Sequence, residues 1–257
     1  MSKTSPASLQ MILSLLIFTL PFHGNSQTTT DPEQAILLKL KQHWSNPPSI
    51  KHWNSTSTHC TWPEITCSGG SVTGLSLRDK NLTETIPPFI CDLQNLTLLH
   101  LQNNNISGPF PTVLYNCSKL QKLDLSSNKF VGPIPGDIHR LSSLQDLNLA
   151  YNKFTGHIPA SIGQLSELGT LQMAYNEFAP SIIPSTFMQL KKLKILWMSM
   201  ANLVGEIPET IENLTVLELL DLSANQLSGN IPSGVFLLKN LTILHLHRNQ
   251  LLGVIPR

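Results

Sequence analysis

Charge is scarce in this 257-residue chain: Asp, Glu, Lys and Arg together make up 13% of it, about half the ~25% usual in soluble domains. The 17 basic and 16 acidic residues nearly cancel. That balance gives no basic surface of the kind that nucleic acid or an anionic membrane requires. Catalytic constellations are missing as well. No glycine-rich phosphate loop and no catalytic or magnesium-binding kinase motif occurs, and His247-Arg248-Asn249 matches a catalytic loop only superficially. His245 and Asp221 resemble half of a catalytic pair, and no recognisable nucleophile motif completes it. Cysteines number four; His59 stands beside Cys60, but no second ligand pair completes a zinc spacing. No metal, cofactor or catalytic residue is expected. Long apolar runs are absent except Met11–Leu20, too short for a ~30 Å bilayer core.

That run follows Lys3, the sole charge before Asp31, and precedes the small residues Gly24 and Ser26. The arrangement predicts a secretory signal over 1–26, removed to leave a chain in the secretory pathway. In a secreted chain four cysteines imply disulfides. Of three possible connectivities, Cys60–Cys67 and Cys91–Cys117 is expected, the first pair for its closeness and the second because its members fall in adjacent repeats. Asn54, Asn81, Asn95, Asn105, Asn116, Asn213 and Asn240 open Asn-x-Ser/Thr sequons, candidate N-glycosylation sites that would solvate a surface poor in charge.

From Val72 onward the chain repeats a variant of L-x-x-L-x-L-x-x-N-x-L-x-G-x-I-P. Copies start at Val72, Leu96, Leu120, Leu144, Leu168, Leu193, Leu217 and Leu241, in steps of 24 residues with one of 25 before Leu193. This period and pattern predict an α/β leucine-rich repeat solenoid, with short parallel strands forming a sheet on its concave face. Domain bounds follow: 1–26 signal, 27–71 N-terminal cap, 72–257 eight repeats. The Asn eight residues into each copy is expected to bond backbone groups of neighbouring coils. That column fails at Lys80 and Ala201, so irregularity is expected at both; the glycine column also fails at Glu84 and at Pro180, the latter inside the one copy that gains a residue. A single repeat cannot fold alone; stacking stabilises it, and the ends need caps. Asp31-Pro32-Glu33 predicts a helix start, Ile36, Leu37, Leu40 and Trp44 an apolar face, and Pro47-Pro48 its end. Trp53 and Trp62 are expected to cover the first coil. No closing cap follows the eighth, incomplete repeat, so the expectation is a piece or truncated product of a longer protein.

The extension Phe154-Thr155-Gly156-His157-Ile158-Pro159 resembles the plant-specific repeat class. Trp53 to Cys67, with Cys60-Thr61-Trp62, resembles the N-terminal cap of plant receptor kinases. Ile65-Thr66-Cys67, Ile90-Cys91-Asp92-Leu93 and Pro111 to Cys117 resemble the HAESA-like branch. The resemblance implies a right-handed superhelix, a secreted peptide ligand along its inner face, a co-receptor kinase, and a membrane span and cytoplasmic kinase beyond this chain. The expected location is extracellular or apoplastic, at the plasma membrane when part of a full-length receptor. The family's paired arginines for a peptide carboxylate belong to later repeats, so none is carried over.

Outward strand positions define two columns: Ser76, His100, Asp124, Asn148, Gln172, Trp197, Asp221, His245, and Arg78, Gln102, Ser126, Ala150, Ala174, Ser199, Ser223, His247. The first is polar with one large aromatic. The second turns small in its middle, an expected floor for an extended peptide. Asn148, Gln172, Trp197, Asp221, His245 and His247 are the candidate ligand-binding residues, Trp197 foremost. A competing expectation is a secreted inhibitor of pathogen cell-wall enzymes, similar to polygalacturonase-inhibiting proteins.

Overall fold

A computed structural model describes residues 31–254; the expected signal segment and the last residues of the eighth repeat lie outside them. The described chain begins with α1, Pro32–His43, capped by the Asp31 carboxylate, which accepts the Glu33 and Gln34 amides at 2.9 and 3.3 Å. Leu37, Leu40 and Trp44 are buried beneath it. The helix ends before the expected Pro47-Pro48 stop: Ser45 and Asn46 turn left-handed, at φ 59° and 53°. Trp53 and Trp62 stack at 5.1 Å and are buried.

Nine strands form one sheet. An antiparallel pair, Ile65–Ser68 with Ser71–Ser76, opens it, and seven strands follow in parallel, from Leu98–His100 to Ile243–His245, one per repeat. Inward side chains such as Leu147, Leu149 and Leu171 are fully buried. Each later coil returns through a short 3-10 segment on the opposite face, as in Ala160–Gln164. Both disulfides pair as expected, Cys60–Cys67 across the cap and Cys91–Cys117 between adjacent coils.

A residue in the left-handed region ends each strand segment: Asp79, Asn103, Ser127, Tyr151, Tyr175, Met200, Ala224 and Arg248 all have φ between 50° and 58°. The Asn that follows ties the coils together. Asn152 Nδ2 donates to the carbonyls of Leu125, Leu149 and Ala150 at 2.9–3.3 Å, and its Oδ1 accepts the Phe130 amide at 3.1 Å. At Lys80 and Ala201, where Asn is missing, the chain is irregular as expected: Asn81 and Asn202 become second left-handed residues, at 58° and 54°. Lys80 instead sends its ammonium to the buried Glu64 carboxylate at 2.6 Å. A smaller lateral sheet follows the plant-type extension. It breaks at the coil containing Pro180 into three strands (Ser107–Gly108, Lys129–Pro133, Lys153–Thr155) and two (Val204–Glu206, Gln226–Ser228), since Pro180 replaces the left-handed glycine found at Gly156 and Gly205.

Candidate ligand-binding face

Parallel pairing puts the first outward column in strict register: Ser76 with His100, His100 with Asp124, Asp124 with Asn148, Asn148 with Gln172, Gln172 with Trp197, Trp197 with Asp221, Asp221 with His245. Five of the six expected ligand-binding residues therefore share one ladder on the concave face, and His247 stands in the next column, its ring 5.9 Å from that of His245.

The polar members are prepared to different degrees. Asn148 bonds Asp124 Oδ2 at 3.2 Å and accepts the Ala150 amide. Asp221 Oδ1 accepts the Ser223 amide and hydroxyl at 2.9 and 2.6 Å, while Oδ2 meets His245 Nδ1 at 3.2 Å. Burial pushes the Asp221 carboxyl up, but those hydrogen bonds outweigh it and hold the group below the ordinary carboxylate range. Burial pulls His100 below its ordinary value. A cleft of about 240 Å³ opens among His100, Asp124, Asp146, Asn148, Thr170 and Gln172.

The second column is not the open floor its small residues suggested. Ser126, Ala150, Ala174, Ser199 and Ser223 are all buried, at 8% exposure or less. Their smallness matches a crowded edge of the sheet, where larger groups rise from the next position. Those groups are Tyr151 and Tyr175, which sequence reasoning passed over because they belong to no strand. The left-handed turn lifts both: Tyr151 and Tyr175 are 46% and 37% exposed, and their rings stack at 4.3 Å. Trp197 reaches back toward them, its ring 5.8 and 6.0 Å away at 67° and 71°. The signal that could have found them is two aromatics in successive copies immediately before the repeat Asn.

A larger cavity, about 480 Å³, lies at the break in the lateral sheet among His157, Ile158, Pro180, Ile182, Pro184 and Val204. In the cap, Asp31, Glu33 and His59 come together, but Asp31 caps α1 and Glu33 accepts the Val72 amide at 2.7 Å. The sulfurs next to His59 are joined in the Cys60–Cys67 disulfide. No sequon occupies an outward strand position, and none occurs from 117 to 212.

Parallel strands of one coil each, an Asn ladder, an extra lateral sheet and a helical N-terminal cap define a plant-type leucine-rich repeat solenoid. The chain belongs to the leucine-rich repeat family: the N-terminal domain model matches residues 30–68, and repeat models match 71–130, 143–165, 216–238 and 240–257. Receptor-like protein 52 of Arabidopsis thaliana is 42% identical over 80 residues, 31% of this chain and 10% of that protein. The chain thus spans a small part of the curated relatives it matches. The structure of PEPR1 with AtPEP1 shares 35% identity and a TM-score of 0.75 over 85% of this chain and 31% of that one. Arabidopsis HAESA, in complex with the peptide hormone IDA and the co-receptor SERK1, shares 35% and 0.73 over 85% and 42%. The likeness to HAESA is borne out, and PEPR1 is matched equally well. A plant ice-binding protein matches at 26% and 0.63 over 88% of both chains.

Proposed function

We propose that this chain is an extracellular ligand-binding segment of a plant cell-surface receptor that takes a peptide along the concave face. The observation that carries the reading is the in-register ladder from His100 to His245. It presents hydrogen-bonding groups and one half-buried aromatic ring at regular strand spacing, clear of every sequon. An extended peptide needs such a row of polar partners with an aromatic anchor. Two similar ectodomains are named in complexes with AtPEP1 and IDA. Asn148, Gln172, Trp197, Asp221, His245 and His247 are the contacts, a co-receptor kinase is the second partner, and the site of action is the apoplast at the plasma membrane. The described residues hold the cap and repeats and no kinase fold.

The test is capture. Secreted, folded chain is incubated with an apoplastic peptide fraction, and bound peptides are identified by mass spectrometry. Specific peptides held by the wild type and lost in Gln172→Ala/Asp221→Ala support the reading; retention of folded proteins alone sinks it. A second reading, a secreted inhibitor of pathogen cell-wall enzymes, would be favoured by that second outcome.

A further inference from the structure

Tyr151, Tyr175 and Trp197 form a two-walled corner at the rim of the concave face. The tyrosine rings stack nearly parallel, and the indole stands across them at about equal distance from both. Both tyrosines hold their backbone at φ 56°, a region that bulky side chains rarely occupy. The same position holds Asp79, Asn103 and Ser127 in earlier copies and Met200, Ala224 and Arg248 in later ones, so the left-handed turn is common to the repeats and the aromatic rings are particular to these two coils. Nearly half of the Tyr151 surface and over a third of the Tyr175 surface face solvent. Exposed and clustered aromatics are not explained by core packing, since the core beneath them is already closed by buried Ala150 and Ala174.

The surroundings specify what the corner takes. On the outward strand positions from 122 to 221 the charged groups are Lys122, Asp124, Asp146 and Asp221. Lys122 is already paired with Asp146 at 2.9 Å and Asp221 meets His245 Nδ1 at 3.2 Å; among the described residues no Lys or Arg pairs with Asp124 or Asp221, which stand on opposite sides of Trp197 in the ladder. Asp221 is the direct neighbour of Trp197 across the sheet. Lys194, just before the Trp197 strand, is paired with Glu218 at 3.0 Å, and apart from Lys122 no other Lys or Arg of these coils stands at an outward position of the concave sheet. Aromatic faces carry negative potential, strongest for indole, and a cation placed over them is attracted. Electron-rich rings beside an ionised carboxylate discriminate for positive charge and against a neutral ring or a carboxylate.

We infer that this corner is a subsite for one cationic side chain, Arg or Lys, of an extended peptide on the concave face, with Asp221 as its counter-ion. The inference rests on the peptide reading above. Trp44, Trp53 and Trp62 are buried and Trp197 is half-buried, so of the four tryptophans it is the one whose emission a ligand on the concave face changes.

The experiment pans the full secreted chain against a random decapeptide library. Bound peptides are expected to be enriched in Arg or Lys at one position. In the tightest of them, replacing that Arg with citrulline, its neutral isostere, weakens binding about two- to thirtyfold, the span of a cation–π contact, and the Trp197 emission change disappears. In Trp197→Ala and Tyr175→Ala the Arg-to-citrulline ratio falls to about one, whereas Tyr175→Phe, which keeps the ring, preserves it. Circular dichroism checks folding, and Asp221→Asn serves as a milder variant with a reduced ratio. Peptides recovered without a basic preference, or with a neutral ring selected instead, overturn the subsite and leave the peptide reading standing. A ratio that survives Trp197→Ala overturns it too. A library that yields no peptide at all overturns both.

Discussion

The Asn ladder makes an unequal prediction for two equivalent-looking residues, Asn152 and Asn176. Each donates to three carbonyls and accepts one amide. In Asn152→Ala the three carbonyls keep other donors: Leu125 O retains Asn128 Nδ2, Leu149 O retains Asn176 Nδ2, and Ala150 O retains the Ser127 amide. Only the Phe130 amide, in a residue 1% exposed, loses its acceptor. One orphaned buried group costs about 1–3 kcal/mol. In Asn176→Ala the Phe154 amide is orphaned in the same way, but Met173 O is lost as well. The next coil carries Ala201 where an Asn would have supplied its second donor. Asn176→Ala is therefore expected to cost about 1–3 kcal/mol more than Asn152→Ala. At about 2–4 °C per kcal/mol for a chain of this size, the two variants separate clearly in thermal melts, with urea titration checking that the slope is unchanged. Equal losses, or a larger loss for Asn152→Ala, would refute the donor-by-donor reasoning.

The clamp between cap and first coil gives a pH signature. Burial pushes the Glu64 carboxyl up, but Lys80, Trp53 and His52 donate to it and outweigh burial, holding it below the ordinary range. A depressed folded pKa stabilises the protein above the unfolded value of about 4.3. The contribution is lost as pH falls through the lower folded value. Glu64→Gln should flatten the decline in stability below about pH 4, which acid titration of the melting temperature measures. Selective opening of Cys91–Cys117 by Cys91→Ser/Cys117→Ser should lower stability by about 2–4 kcal/mol, read from urea midpoints. The last described coil leaves Ile243, Leu244 and Leu252 at 41%, 36% and 70% exposure. Fusing a closing coil should raise the yield of monomer in size-exclusion chromatography by covering that apolar edge, and no gain would mean the edge is already tolerated.

Period and pattern settled the architecture before any coordinates. Leucines recurring every 24 residues must face inward from equivalent strand positions, and parallel stacking then brings residue i beside residue i+24. The same arithmetic paired the cysteines and aligned Asn148, Gln172, Trp197, Asp221 and His245 in one ladder, and missing Asn residues at Lys80 and Ala201 correctly marked the irregular coils. What arithmetic could not supply is what happens off the strands. The left-handed turn before each Asn swings a side chain onto the rim of the concave face, so Tyr151 and Tyr175 join Trp197 although no strand alternation connects them. The helix stop at Ser45 and Asn46 depended likewise on backbone dihedrals rather than on the nearest prolines. Whether the small second column formed a floor or a buried edge depended on which neighbours covered it, and that was decided only when the coils were stacked. Periodicity dictates which residues become neighbours along the sheet; dihedral choices at its edges, and the packing they force, decide which of them meet solvent.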